Sequence, residues 1–298
     1  MRSLIKIITP DFIINAYKKQ KSKKRRSKRE ELAKLGQVIT QKEIETALTE
    51  AGIKNGDVAM LHSSLSSLGN VEGGAITVIN AFMNVLGDNG TLVMPSFPAI
   101  GYNFDYLSGN PVFDIKQTPS KMGIITEVFR KMDGVKRSFH PTDSVCAIGK
   151  EAEMLTIGHF GQHTPYNNNS PFYKLTQLNS KILLIGVQLE TVTNFHTPED
   201  AIPDFKYPVY HPKVFNARMI DESGNAQAMT TNVHDPVFSK QRKCNEFKEP
   251  FLTNGIAREF KLGLANCMVI EANRMHAWLI ESYYKGITIY TPHGKDLN

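Results

Sequence analysis

The strongest constraint on the fold is a set of short, mostly apolar runs at 58–62, 91–94, 144–148, 181–187 and 264–270. A run with no alternation of polar and apolar residues reads as a strand buried on both faces. The text between the runs is helical or turn-like. Thr40 and Glu43 have capping-box spacing and predict a helix to about Ala51. Lys54-Asn55-Gly56-Asp57 and Asp88-Asn89-Gly90 read as turns, and Gly73-Gly74 precedes a helix through Leu86. Ser120 is expected to open a helix to about Lys131, and 273–284 a terminal one. Residues 215–220 and 226–231, joined across Ser223-Gly224, predict a β-hairpin. Strands alternating with helices, then a local hairpin, specify an α/β layered fold.

Charge is distributed unevenly along the 298 residues. Residues 1–34 hold twelve Lys or Arg and three Asp or Glu, which leaves 23 basic and 26 acidic residues for the rest. The globular part is thus mildly acidic, which argues against a nucleic-acid-binding face. The division expected is a basic amphipathic segment, 1–34, followed by one domain, 35–298. No apolar run in 1–34 approaches the ~20 residues needed to span a bilayer. Two readings of the segment stand: an interfacial anchor drawn to anionic lipid, or a helix packed on the body with a solvated basic tail. The expected location is cytoplasmic, at the inner face of the membrane if the anchor reading holds. Three widely spaced cysteines, Cys146, Cys244 and Cys267, offer neither a disulfide framework nor a zinc site, in keeping with a reducing compartment.

Four segments could carry chemistry. His62-Ser63-Ser64-Leu65 ends a strand before the Gly73-Gly74 helix, and small side chains there let backbone N–H groups approach an anion or amide ligand. An ordinary capped turn reads the same way. Neither GxGxxG nor GxxxxGK[ST] is present. Arg137-Ser138-Phe139-His140-Pro141 could grip a phosphate, or could be a surface loop with a buried His140. His196 lies three residues before Glu199, and a carboxylate so placed can hold an imidazole in one tautomer as a general base; a helix-capping core histidine is the alternative. His-x-x-Glu has no second histidine at zinc-ligand spacing, so no metal is expected. Asn232-Val233-His234-Asp235 could rim a polar pocket or form a turn.

Together these segments resemble the aminoglycoside 3-N-acetyltransferase family, in order and at similar spacing from about residue 40 to about 285. The matching text is LHSSLSSLGNVEGGAITVINAFMNVLGDNGTLVMPSF (61–97), MGIITEVFRKMDGVKRSFHPTDSVCAIG (122–149), SPFYKL (170–175), KILLIGV (181–187) and TNFHTPED (193–200). The resemblance implies a layered α-β-α fold with a central mixed sheet, acetyl-CoA as co-substrate and a primary amine as acceptor. It implies that His62, Ser63, Ser64 and Leu65 line the thioester end of the cofactor, and that Arg137, Ser138 and His140 lie near its phosphates. The catalytic histidine of the family falls on His196 and its acid on Glu199, with Asp200, His234 and Asp235 toward the acceptor.

Two departures bear on the substrate. Family members that modify antibiotics usually read Leu-His-Leu-Ala-Glu where this chain has Phe195-His196-Thr197-Pro198-Glu199, and the acid before the later histidine is Val233 here. The missing acid and the only mildly acidic globular part argue against an aminoglycoside drug, and the basic N-terminal segment, suited to hold an enzyme near lipid-linked intermediates, favours a biosynthetic acceptor, an amino sugar on a nucleotide or lipid carrier for surface polysaccharide. O-acylation, a homodimer and a catalytically dead membrane scaffold are further readings the sequence leaves open.

Overall fold

The computed structural model describes residues 38–294; the basic segment 1–34 lies outside them. The strands are β1 (Val58–Ser63), β2 (Thr91–Pro95), β3 (Val112–Asp114), β4 (Lys136–Arg137), β5 (Val145–Gly149), β6 (Lys181–Ile185), β7 (Phe215–Ile220), β8 (Ala226–Thr231), β9 (Ala257–Leu262) and β10 (Ala265–Glu271). Seven pair in one sheet of order β4-β5-β2-β1-β6-β10-β9, and β3-β7-β8 form a second. β1 is parallel to both β2 and β6, while β5 and β10 run antiparallel beyond them, so the sheet is mixed.

The apolar runs follow from cover on both faces. Ala59 and Leu61 of β1 join Leu183, Ile185 and Val269 in a core beneath the helices Gln41–Glu50 and Ala75–Leu86. Val58 and Met60 point the other way and join Ile182, Leu184, Phe172, Phe195 and Met275 in the opposite core. Thr40 caps its helix through the full reciprocal capping box. The predicted hairpin is β7–β8, in register from Phe215↔Thr231 to Ile220↔Ala226.

Two local readings are corrected. The helix expected from Ser120 begins at Ile124, because Gly123 takes φ 114° and breaks the helical path; Ser120 Oγ closes a turn on Met122 N–H at 3.2 Å, and its own N–H donates to Glu127 Oε2 at 2.7 Å. The last strand has an antiparallel partner, β9, turning at Gly263-Leu264; its charged sequence, AREFKL, hid a half-buried edge strand.

β1 has β2 on one side and β6 on the other, so the chain reverses its direction of winding between β1 and β6. In open α/β sheets the crevice outside the carboxyl ends of such a strand pair is where ligands bind. Ser64 N–H donates to the Ile185 carbonyl at 3.0 Å, tying the two strand ends together there. No helix among the described residues is long and apolar enough to cross a membrane.

Candidate active site

The segment after β6 runs through a 3-10 turn, Thr193–His196, into the short helix Thr197–Ala201, with Pro198 in its first turn. One helical turn separates His196 from Glu199, and their side chains meet: Nδ1 of His196 lies 3.1 Å from Oε2 of Glu199. His234, arriving just beyond β8, sets its Nε2 2.8 Å from the same oxygen. Tyr290 donates its hydroxyl to the other oxygen, Oε1, at 2.7 Å. All four residues are buried. Burial alone would push the Glu199 carboxyl up, but the two rings hold it well below the ordinary carboxylate range. An ionised carboxylate only accepts, so the nitrogens facing Oε2 carry the ring protons.

Both imidazoles are neutral at neutral pH. Burial, then the charge of Arg242, lowers His196 despite Glu199, and the same causes bring His234 down to about 3. The free positions are Nε2 of His196 and Nδ1 of His234; neither has a hydrogen-bond partner among the described residues. The three facing atoms lie within 4.8 Å of one another. With the rings neutral and donating, the trio forms a hydrogen-bonded unit.

Aromatic rings fix the geometry. His234 is stacked between Tyr166, 5.1 Å away at 18°, and Tyr210, 4.8 Å away at 13°. Tyr166 also leans on His196 at 5.0 Å. Asp200 ties both tyrosines, accepting from Tyr210 OH at 2.6 Å and from Tyr166 N–H at 3.2 Å, and burial pushes its carboxyl up to about 6. Tyr166, Tyr210, Tyr290 and Arg242 were not singled out in the sequence. They come from four separate segments, and the only signal of them is aromatic richness in text with no local period.

A family profile described as aminoglycoside 3-N-acetyltransferase matches residues 60–283. Aminoglycoside N(3)-acetyltransferase III of a Salmonella species is 31% identical over 255 residues, 78% of this chain and 87% of that protein. The chain belongs to the aminoglycoside 3-N-acetyltransferase family. Membership makes it a CoA-dependent N-acyltransferase with acetyl-CoA as co-substrate. Among solved structures, the aminoglycoside acetyltransferase AAC(3)-Xa superposes with TM-score 0.70 at 25% identity, covering 88% of this chain and 98% of that one. AAC-IIIb, solved as a binary complex with CoASH, has the same TM-score at 23% identity, over 85% and 98% of the two chains, and shares the fold.

Within this member of the aminoglycoside 3-N-acetyltransferase family, the expected cofactor residues fall into two groups. Ser63, Ser64 and Leu65 lie partly exposed at the carboxyl end of β1. The next long helix, Ala75–Leu86, has Gly74 at its N-cap and no side-chain cap, and an uncapped helix start favours an anion. His62 faces inward; its Nε2 is buried without a partner, and burial brings the ring down to about 4.

The Arg137-Ser138-Phe139-His140 element is a correction. Arg137 donates to the carbonyls of Ile115, Thr118 and Ser96 and to Ser144 Oγ, with its guanidinium 4.7 Å from the centre of the Phe113 ring. Ser138 and His140 are fully buried, Ser138 bonded to His159 Nδ1 and His140 stacked on the His159 ring. These groups hold three loops together and present no free surface to a phosphate. On the acceptor side, Asp235 is likewise consumed, capping the helix Pro236–Ser239 through Val237 N–H at 2.7 Å. Val233 packs with Leu107, Phe215 and Ala217, so the position where relatives carry an acid points into a core here.

Proposed function

We propose that this chain transfers the acetyl group of acetyl-CoA to a primary amine of an aminoglycoside, with His196 as general base and Glu199 orienting it. The observation that carries the reading is the His196–Glu199 pair: Nδ1 is tied to a buried, ionised carboxylate, and Nε2 is left without a described partner. Acetyl-CoA supplies the activated acyl group as a thioester. The uncapped helix start at Gly74 supports a place for its phosphates, because the first N–H groups of a helix favour an anion, and the partly exposed Ser63–Leu65 loop supports a place for its amides.

An ammonium ion is not a nucleophile, so the acceptor must lose a proton before or during attack. His196 Nε2 takes that proton, and the imidazolium so formed is stabilised through Nδ1–H by Glu199. Tyr166 packs against the His196 ring at 5.0 Å, and His234, stacked between Tyr166 and Tyr210, holds the same oxygen of Glu199 in place. The amine attacks the thioester carbonyl directly, with no acyl-enzyme; collapse of the tetrahedral adduct forms the amide, breaks the C–S bond and releases the CoA thiolate, to which the imidazolium of His196 returns the proton. The family assignment and the Salmonella relative support an aminoglycoside acceptor, and no comparison supports the surface-polysaccharide acceptor that the sequence reading favoured. The argument drawn from Val233 also loses its force, because that side chain does not face the site.

Incubation with acetyl-CoA and a panel of aminoglycosides, read by thiol release and product mass, tests the proposal. Release of CoA with one acetyl group gained by the drug is expected. Turnover on a simple amino sugar with none on any aminoglycoside would overturn it.

A further inference from the structure

Glu199 is enclosed by donors that are all neutral: two imidazoles and a phenol. A buried carboxylate needs a compensating charge as well as hydrogen bonds. The candidate is Arg242. The pairing of Lys243 N–H with the Ile289 carbonyl, 2.8 Å, sets Arg242 beside Tyr290. Its Nε and Nη2, the two donors on one edge of the guanidinium, are buried and without a hydrogen-bond partner among the described residues. The groups that feel this cation are Glu199, Tyr290 and Tyr166, Asp143, His196 and His234, and Cys244. Among them Glu199 is the carboxylate that faces His196.

We propose that Arg242 is a positioning residue, the fixed cation that offsets the Glu199 charge from inside the protein and so leaves His196 neutral with its proton on Nδ1. The inference rests on the reading of His196 as the base. Without Arg242 the cluster loses one positive charge, and the cheapest replacement is a proton on His196 or His234. A ring already protonated cannot take a proton from the acceptor amine. The direction of the electrostatics agrees, since after burial the charge of Arg242 is what depresses both rings.

The test is the pH profile of kcat/KM for the amine in wild type, Arg242→Met, Arg242→Gln and Arg242→Lys, with acetyl-CoA as donor. The Met and Gln variants lose the charge, so His196 protonates more readily and the acidic limb moves to higher pH by about one unit, a tenfold loss on that limb. The loss narrows at alkaline pH, and KM for acetyl-CoA stays constant. Arg242→Lys keeps the charge and restores the limb. A purely structural role would lower activity equally at all pH values and leave the limb in place; that outcome in either neutral variant overturns the proposal, as does a limb that moves as far in Arg242→Lys. The wild-type arm separates the two failures: no CoA release with any amine removes the function itself, whereas an active wild type with an unmoved limb removes only the role of Arg242.

Discussion

Glu199 spends both oxygens on three donors, and the two oxygens are not equivalent. Oε2 serves the imidazoles of His196 and His234, while Oε1 serves Tyr290. Tyr290→Phe leaves a buried carboxylate oxygen short of a donor, which costs about 1–3 kcal/mol. The expected outcome is a lower urea midpoint and a modest fall in kcat, with KM for acetyl-CoA unchanged. A variant as stable as wild type would mean that another donor replaces the phenol. At this scale, His196 and Glu199 were legible because three-residue spacing on a helix is a local property that Pro198 did not disturb. His234 was legible as a polar residue without its partner, since its contact spans 35 residues. Arg137 was misread for the opposite reason: its polar neighbours looked like a phosphate grip, yet each guanidinium nitrogen is satisfied inward by carbonyls or a hydroxyl.

At the level of elements, the site depends on two loops leaving the neighbouring strand ends β1 and β6. Their crossing is fixed at Gly186, which takes φ +68° and whose carbonyl accepts from Ser67 Oγ at 3.1 Å. A Cβ there would lie 2.3 Å from Ser67 Cβ, too close for either backbone to keep its place. Gly186→Ala is therefore expected to destabilise by at least about 1–2 kcal/mol from the left-handed backbone alone. It should also raise KM for acetyl-CoA, because Ser67 belongs to the loop that begins at Ser63. Loss of stability without a change in KM would separate that loop from the cofactor. The strands and the β7–β8 hairpin were readable because burial on both faces, or turn chemistry, writes itself into adjacent residues. β9 was not, because an edge strand with one face in solvent carries charges that break the apolar signal.

For the whole molecule, the order β4-β5-β2-β1-β6-β10-β9 sets β1 beside β6, and the segment that leaves β6 meets residues from beyond β8 and from the C-terminal segment at Glu199. In the proposed mechanism the loop after β1 faces the donor and the segment after β6 carries the base, while His234 from beyond the hairpin and Tyr290 from the C-terminal segment bond the Glu199 carboxylate. The central claim is that the imidazole of His196 removes the proton that makes the amine a nucleophile. The most direct test is the initial rate of CoA release by His196→Ala under saturating acetyl-CoA and aminoglycoside. The account predicts a fall of about 10²–10⁴, with the rise in Tm on adding CoA undiminished because the donor loops are untouched. Near-normal turnover in a variant that still binds CoA would contradict it.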